Sequence, residues 1–577
     1  MLDVNAGTIH ETRQFVTWTG LDAFSQERAL ERRAALLITG ERNAASAYFC
    51  EKNCNLFVIW ALHIVQPRGL LSLAHAPIRE MNFNHPQGTG MRMNLLFAPL
   101  LIVTLFAAPM VSVHAQQASV PVAASADAAP VAGNPAKAES PASALAPTSN
   151  LSPPAPVTPE ASAAPITRPT LVDVGKISAG DTAWMLSSTA LVLLMTIPGL
   201  ALFYAGMVRK KNVLTTMAHS FATTCIVTVL WVVVGYSLAF MPGNSLIGSF
   251  ERVMLHGMAF LKDEGKITVH HVATSIPESV FMMFQMTFAI ITPALITGAV
   301  AERMKFAALL CFITLWSLVV YVPVAHWVWE PGGWLAEKGV LDFAGGTVVH
   351  INAGVSGLVA ALILRPRNGF GKESMAPHNL VLTVTGASLL WVGWFGFNAG
   401  SAGAADGRAG MAMLVTQFAT AVGALTWMSV EWLRRGKPSV LGLVSGAVSG
   451  LVAITPASGF VDVTGALAIG AAAGVACYWG ATALKSRFGY DDSLDVFGVH
   501  AIGGIVGALL TGAFALKTIG GVEGNIGTQA IGVLATIAYA SVMTSIILVI
   551  VDLTVGLRPS PEQEREGLDL SQHGEQA

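Results

Sequence analysis

Two stretches decide how this chain is read: Asp342-Phe-Ala-Gly-Gly-Thr-Val-Val-His350-Ile-Asn-Ala-Gly354 and Asp495-Val-Phe-Gly-Val-His500-Ala-Ile-Gly-Gly504. Each sets a histidine inside a long apolar, glycine-rich segment, a few residues after an aspartate. A charged ring at bilayer depth costs on the order of a few kcal/mol, so a histidine there marks a polar path or proton route by default. A lone histidine on an apolar helix is more often satisfied by a backbone carbonyl or a hydroxyl. Two in matching contexts point to a shared role.

The surrounding composition supplies the membrane. Hydrophobic residues make up 53% of the chain and charged ones 12%, against roughly a quarter charged in soluble domains, so this is a polytopic membrane protein. A net charge of −2 offers no nucleic-acid surface. Of the five cysteines, Cys225, Cys311 and Cys477 fall in apolar segments as small hydrophobes. Cys50 and Cys54 would be half of a metal site, but no second ligand pair accompanies them. Neither a disulfide framework nor a metal centre follows.

From about Ala183 onward eleven apolar stretches approach the roughly 20 residues needed to cross a bilayer as helix. They centre near Leu194, Val229, Phe288, Leu315, Gly357, Leu389, Phe418, Val448, Ala472, Val506 and Tyr539. Basic clusters follow alternate spans: Arg209-Lys210-Lys211, Arg303 with Lys305, Arg365 with Arg367, Arg434-Arg435, and Lys485 with Arg487. The positive-inside rule makes these loops cytoplasmic, which puts the mature N-terminus outside and the C-terminus inside. His350 lies in the fifth span and His500 in the tenth, so two five-span halves run in opposite directions. That is the inverted-repeat plan of many transporters, with a shared site near the midplane. The expected fold is an all-α membrane protein of eleven transmembrane helices, two inverted five-helix repeats plus a final helix, in which the two histidines meet at the pseudo-twofold axis.

Ahead of the spans, the basic start and short apolar core after Met91, closed by Val113-His114-Ala115, read as a signal peptide over 91–115. The mature chain is then expected to begin near Gln116, with residues 1–90 read as an upstream extension outside the native product; the other reading is a cytoplasmic arm followed by an extra membrane span. Residues 116–177, rich in Ala, Pro and Ser, lack the large apolar groups of a core and read as a disordered linker. The transmembrane domain is expected over 178–558, followed by a cytoplasmic tail over 559–577.

Several longer motifs in the same order, Thr196-Ile-Pro-Gly-Leu-Ala-Leu-Phe-Tyr-Ala-Gly206, Ala301-Glu-Arg303, Gly393-Trp-Phe-Gly-Phe-Asn-Ala-Gly-Ser401 and the two histidine stretches, resemble the Amt/MEP/Rh ammonium transporter family, in its bacterial branch. The resemblance runs from about residue 178 to the end. Glu330-Pro331 departs from it, standing where a glycine run often follows the outer Trp. It implies an ammonium transporter of a bacterial inner membrane with a pore through each subunit of a homotrimer, neither enzyme nor cofactor-dependent. An outer cation site would comprise Phe288, Trp329 and Ser401: ammonium has four donors and potassium none, so a hydroxyl acceptor beside aromatic faces suits it. Below it the resemblance implies stacked phenyl rings, Phe284 and Phe397, with Trp394 lining the same path. A dry constriction of this kind resists ions, which must shed water, far more than a neutral molecule.

His350 and His500 are then the proton path, sharing a proton between neighbouring ring nitrogens. Asp342 takes a mixed role, capping the fifth span and lending negative charge under the outer site, while Asp495 caps the tenth. The tail from Asp552 to Asp569 is implied to be ordered, to bridge subunits, and to answer a PII-type signal protein. Two other readings use the same residues. One is an ammonium sensor signalling through the tail. The other is an intramembrane serine protease built on Gly354-Val-Ser356-Gly357 with His500 as base, a weak pattern because Gly and Ser abound where membrane helices cross.

Overall fold

The structure, a computed structural model, describes residues 165–577. The expected signal peptide, the extension at 1–90, most of the linker, and Cys50 and Cys54 lie outside the described residues. Within them, ten helices are long and apolar enough to cross a membrane, and the shorter apolar helix Val440–Ile454 makes the eleventh. All eleven expected centres fall inside these helices. Local sequence explains where many begin. The side chains of Ser178, Asn379, Asp406, Ser439, Asp462 and Asn525 each accept a hydrogen bond from a backbone amide of the first turn of the helix that follows, satisfying donors that the helix itself cannot.

Helix contacts repeat under exchange of the two halves. The first span (Ala179–Met207) packs on the sixth (Leu380–Gly400), its own counterpart, and the fifth (Gly346–Leu364) on the tenth (Phe497–Phe514). The third span (Glu278–Val300) packs on the first and the fifth; the eighth (Val440–Ile454) packs on the sixth and the tenth. At the central crossing the correspondence reaches single residues. A Cβ on Gly354, four residues after His350, would collide with the backbone of Ala501, the residue after His500. A Cβ on Gly504, four residues after His500, would come within 3.1 Å of the amide nitrogen of Ile351, the residue after His350. Small residues here let two backbones approach, and that approach brings the histidines together.

At one end of the bundle Thr170–Asp173 pairs antiparallel with Lys266–Val269, which also pairs with Phe260–Leu261. The linker expected to reach residue 177 therefore gives way earlier: Thr170↔Val269 through Asp173↔Lys266 is a ladder in register. Composition missed it because this strand is held by its partner across the loop and not by a core of its own.

The opposite end carries the basic clusters. Glu302, buried, accepts from the Arg209 side chain and backbone and from Arg367, 3.0 Å away. Arg367 also holds Asp491 at 2.8 Å, and Arg303 lies 3.5 Å from the same carboxylate. Burial pushes the Glu302 and Asp491 carboxyls up, but the arginines outweigh it and hold both below their ordinary values. The tail docks on this end: Arg558 pairs with Glu564 at 2.6 Å, Glu564 accepts from Asn368, and Asp569 accepts from the amides of Leu214 and Thr215 at the start of the second span.

Candidate transport path

His350 and His500 sit in the middle of the bundle with Nδ1 facing Nδ1 at 3.3 Å, both buried. Each lies in a stretch of π-helix, Gly346–Ile351 and Phe497–Ala501, the wider turn that often marks functional positions in membrane helices. One Nδ1 must donate and the other accept, so one ring presents Nε2–H and the other a bare Nε2. Nε2 of His350 has no hydrogen-bond partner among the described residues. The pair borders an enclosed apolar cavity of about 10 Å³, walled by Ile291, Leu295, Trp394 and Phe397. A second small cavity of about 30 Å³ reaches from His500 past Tyr204 and Trp427 to Asp495. Each has space for about one small molecule and no hydration shell.

Above the pair, aromatic rings form a column. Trp394 stacks near His350 at 5.4 Å and is fixed by its Nε1–H, which donates to Thr455 Oγ1 at 2.9 Å. Phe397 lies 6.1 Å from His350 and stacks on Phe288 at 4.2 Å. Phe288 in turn meets Phe284 edge-on at 5.0 Å and Trp329 edge-on at 5.6 Å. The expected phenyl stack of Phe284 on Phe397 is corrected: the ring stacked on Phe397 is Phe288. Phe284 stands one turn nearer the helix start, where a Cβ on Gly400, beside Ser401, would touch it. Spacing of four places both rings on one face, and helix direction ranks them by depth. The third span starts at the end holding Trp329 and Ser401, so the lower residue number is the one nearer that end. Trp329 is half-buried and donates Nε1–H to the Asp342 carbonyl at 2.9 Å. Ser401 donates to the Phe397 carbonyl at 2.8 Å and keeps its lone pairs.

Asp342 accepts from four successive amides, Gly345, Gly346, Thr347 and Val348, and burial pushes its carboxyl up to about 6 against those four donors. Gly345, at φ 109°, makes the left-handed step that wraps the chain around the carboxylate. In the second half the cap is Asp492 and not Asp495. Asp492 accepts from the amide of Phe497 and sits eight residues before His500, as Asp342 sits eight before His350. Asp495 takes the left-handed position that Gly345 holds in the first half, at φ 59°, and pairs with Lys485 at 2.7 Å. Equal spacing from the histidines was the sequence signal for Asp492. Ser356, the serine of the protease pattern, is bonded to Trp316 Nε1 at 3.0 Å and Thr544 at 2.9 Å, deep in a helix crossing.

Residues 183–577 match a sequence model of the Ammonium Transporter Family. The chain belongs to this family. It is 50% identical over 407 residues to an ammonium transporter of Bacillus subtilis strain 168, covering 69% of this chain and 98% of that one. An ammonium transporter of Aquifex aeolicus is likewise 50% identical over 413 residues, 70% of this chain and 94% of the relative. Among solved structures, Saccharomyces cerevisiae Mep2 aligns with a TM-score of 0.62 at 35% identity, over 67% of this chain and 89% of Mep2. A structure described as a sensor Amt protein aligns with a TM-score of 0.63 at 27% identity, over 68% and 98%. The family is one of membrane transporters, which agrees with the eleven spans.

Proposed function

We propose that the chain takes up ammonium by binding the cation at its outer end, removing one proton, and passing ammonia through the apolar column. Trp329, Ser401 and Phe284 would hold the cation: aromatic faces attract it, and the serine lone pairs accept its N–H groups. Phe288 on Phe397 would form the constriction. Across it a cation faces the full cost of lost hydration, whereas ammonia, being neutral, faces much less. The released proton would travel separately along His350 and His500, whose shared Nδ1–H shifts from one ring to the other as Nε2 of the first accepts and Nε2 of the second gives up a proton. Asp342 would anchor the fifth span and keep negative charge beside Trp329.

The observation that carries this reading is the buried Nδ1–Nδ1 contact of 3.3 Å at the crossing of the two halves. Its placement in a dry cavity suits a proton relay and has no evident use in a plain helix crossing. Basic clusters at the other end support a cytoplasmic face there, in a bacterial inner membrane with the mature N-terminus outside. The docked tail supports a role for that face in contacts between the subunits of a homotrimer and with a PII-type signal protein. Reconstituted protein with His350→Ala or His500→Ala should remain trimeric and lose methylammonium-driven current; unchanged transport in both variants would defeat the relay. The likeness to a sensor Amt protein favours a second reading, in which the same site reports ammonium through the tail. Normal methylammonium flux decides for transport.

A further inference from the structure

At the outer mouth a cluster stands apart from the column. His270 and His271 follow the strand Lys266–Val269, and Glu330 directly follows Trp329 at the end of the fourth span's long helix. Each of the three offers a ligand atom, and these atoms lie within 4.8 Å of one another. His271 Nε2 and Glu330 Oε1 are 3.0 Å apart, with side chains only 5% and 3% exposed. Their other polar atoms, His271 Nδ1 and Glu330 Oε2, are buried with no hydrogen-bond partner among the described residues. The unused Oε2 leaves Glu330, buried beside two imidazoles, with acceptor capacity that a settled ion pair would normally use.

We propose that His271, Glu330 and His270 form a binding site for one divalent transition-metal ion of the zinc class. Two ligand atoms each about 2.0–2.2 Å from zinc, at angles between right-angled and tetrahedral, sit roughly 3.0–3.4 Å apart, and the His271–Glu330 separation falls there. His270 is the adjustable third ligand. Its ring stacks on His271 with centroids 4.1 Å apart; Nε2–H donates to the Phe240 carbonyl at 2.9 Å, which leaves Nδ1 as the lone-pair nitrogen, now accepting from the Val272 amide at 3.2 Å. A closing ion would take that lone pair and release the amide of Val272, itself an exposed residue. A mixed imidazole and carboxylate set suits zinc and its neighbours; calcium and magnesium prefer oxygen alone. Solvent would complete the coordination sphere.

The site has a consequence for transport through its position. His270 packs edge-on against Phe240, whose ring faces Trp329 at 6.5 Å. A dication held there stands beside the place where a monovalent cation is expected to bind, and would repel it. This consequence rests on the proposed transport function, but the binding does not.

The test uses purified full-length protein, stripped with a chelator and then exposed to a small molar excess of zinc chloride. After gel filtration, metal content per chain is read by mass spectrometry. Wild type should retain one more zinc per chain than Glu330→Gln or His271→Asn, and the same as His256→Ala, an exposed histidine away from the cluster. Equal retention by wild type and either variant that elutes as the native oligomer overturns the site, as does a calcium salt displacing zinc at equal concentration. Two separate substitutions keep the test open should one fail to fold. In proteoliposomes zinc should then slow methylammonium flux by wild type and lose that effect in Glu330→Gln. If zinc binds stoichiometrically but flux is absent throughout, the transport reading fails and the metal site stands.

Discussion

Phe284 and Phe288 show how a one-turn error at a single residue changes a mechanism. Both face the same lumen, and the motif containing them does not say which is deeper. The stack of Phe288 on Phe397 at 4.2 Å favours Phe288 for the proposed constriction, with Phe284 one turn nearer the helix start. Truncating either buried ring should cost about 3–5 kcal/mol of stability, so melting temperature will fall in both variants and will not separate them. Kinetics should. Phe284→Ala is expected to raise the KM for methylammonium with little change in maximal flux, while Phe288→Ala changes maximal flux and lets water through, read by osmotic swelling of proteoliposomes. The reverse pattern would restore Phe284 to the constriction. A second residue-scale prediction concerns the caps. Asp492→Ala removes a buried acceptor of the Phe497 amide and should cost about 0.5–2 kcal/mol as a lost helix cap. Asp495→Ala, which loses a partly exposed pair with Lys485, should cost less, roughly 1 kcal/mol or below. Thermal unfolding of the two variants in one detergent ranks them.

Among the elements, the spans were legible because each needs the same thing, a long apolar run ended by charge, and that demand leaves a pattern no tertiary contact can hide. The strand at Thr170–Asp173 was not legible, since its pairing partner lies nearly a hundred residues away and its own composition resembles a linker. The loops at the basic end were legible as positive but not as a network. Three of their charges turn out to be matched: Arg209 and Arg367 on Glu302, and Arg367 and Arg303 on Asp491. Both carboxyls are held below their ordinary values of 4.5 and 3.8 once the arginines overcome burial. A depressed folded-state pKa adds stability that is fully present above the unfolded value and lost as pH falls through the folded one. The melting temperature of wild type should therefore drop between about pH 4.5 and the acid side of 3.8. Asp491→Asn should start lower at neutral pH and decline less over that interval; parallel curves for the two proteins would show that the pair contributes nothing through its charge.

For the whole molecule, the inverted repeat explains why one sequence feature revealed so much of the rest. Two histidines in opposite halves must approach a common axis if the halves are equivalent, and the contact at 3.3 Å with mirrored glycines at 354 and 504 is that approach. Thr455, which fixes Trp394 from the C-cap of the eighth span, left no such trace, because nothing in a lone threonine at the end of an apolar helix says which helix it will face. The same architecture sets the selectivity to be expected. Potassium cannot surrender a proton, so in the intact protein it would have to pass Phe288 and Phe397 as a bare ion into cavities of about 10 and 30 Å³, where no shell of water fits. On the proposed mechanism, ammonium would escape that barrier only by splitting into ammonia and a proton that take separate routes. Replacing His350 with Asp would put fixed negative charge and its water into the dry lumen, lowering the cost of a cation there. His350→Asp should consequently admit potassium, seen as current in proteoliposomes or as growth of a host lacking its own potassium uptake, while wild type admits none. Ready potassium passage through wild type would mean that ammonium crosses as an intact cation, and the histidine pair would then need another explanation.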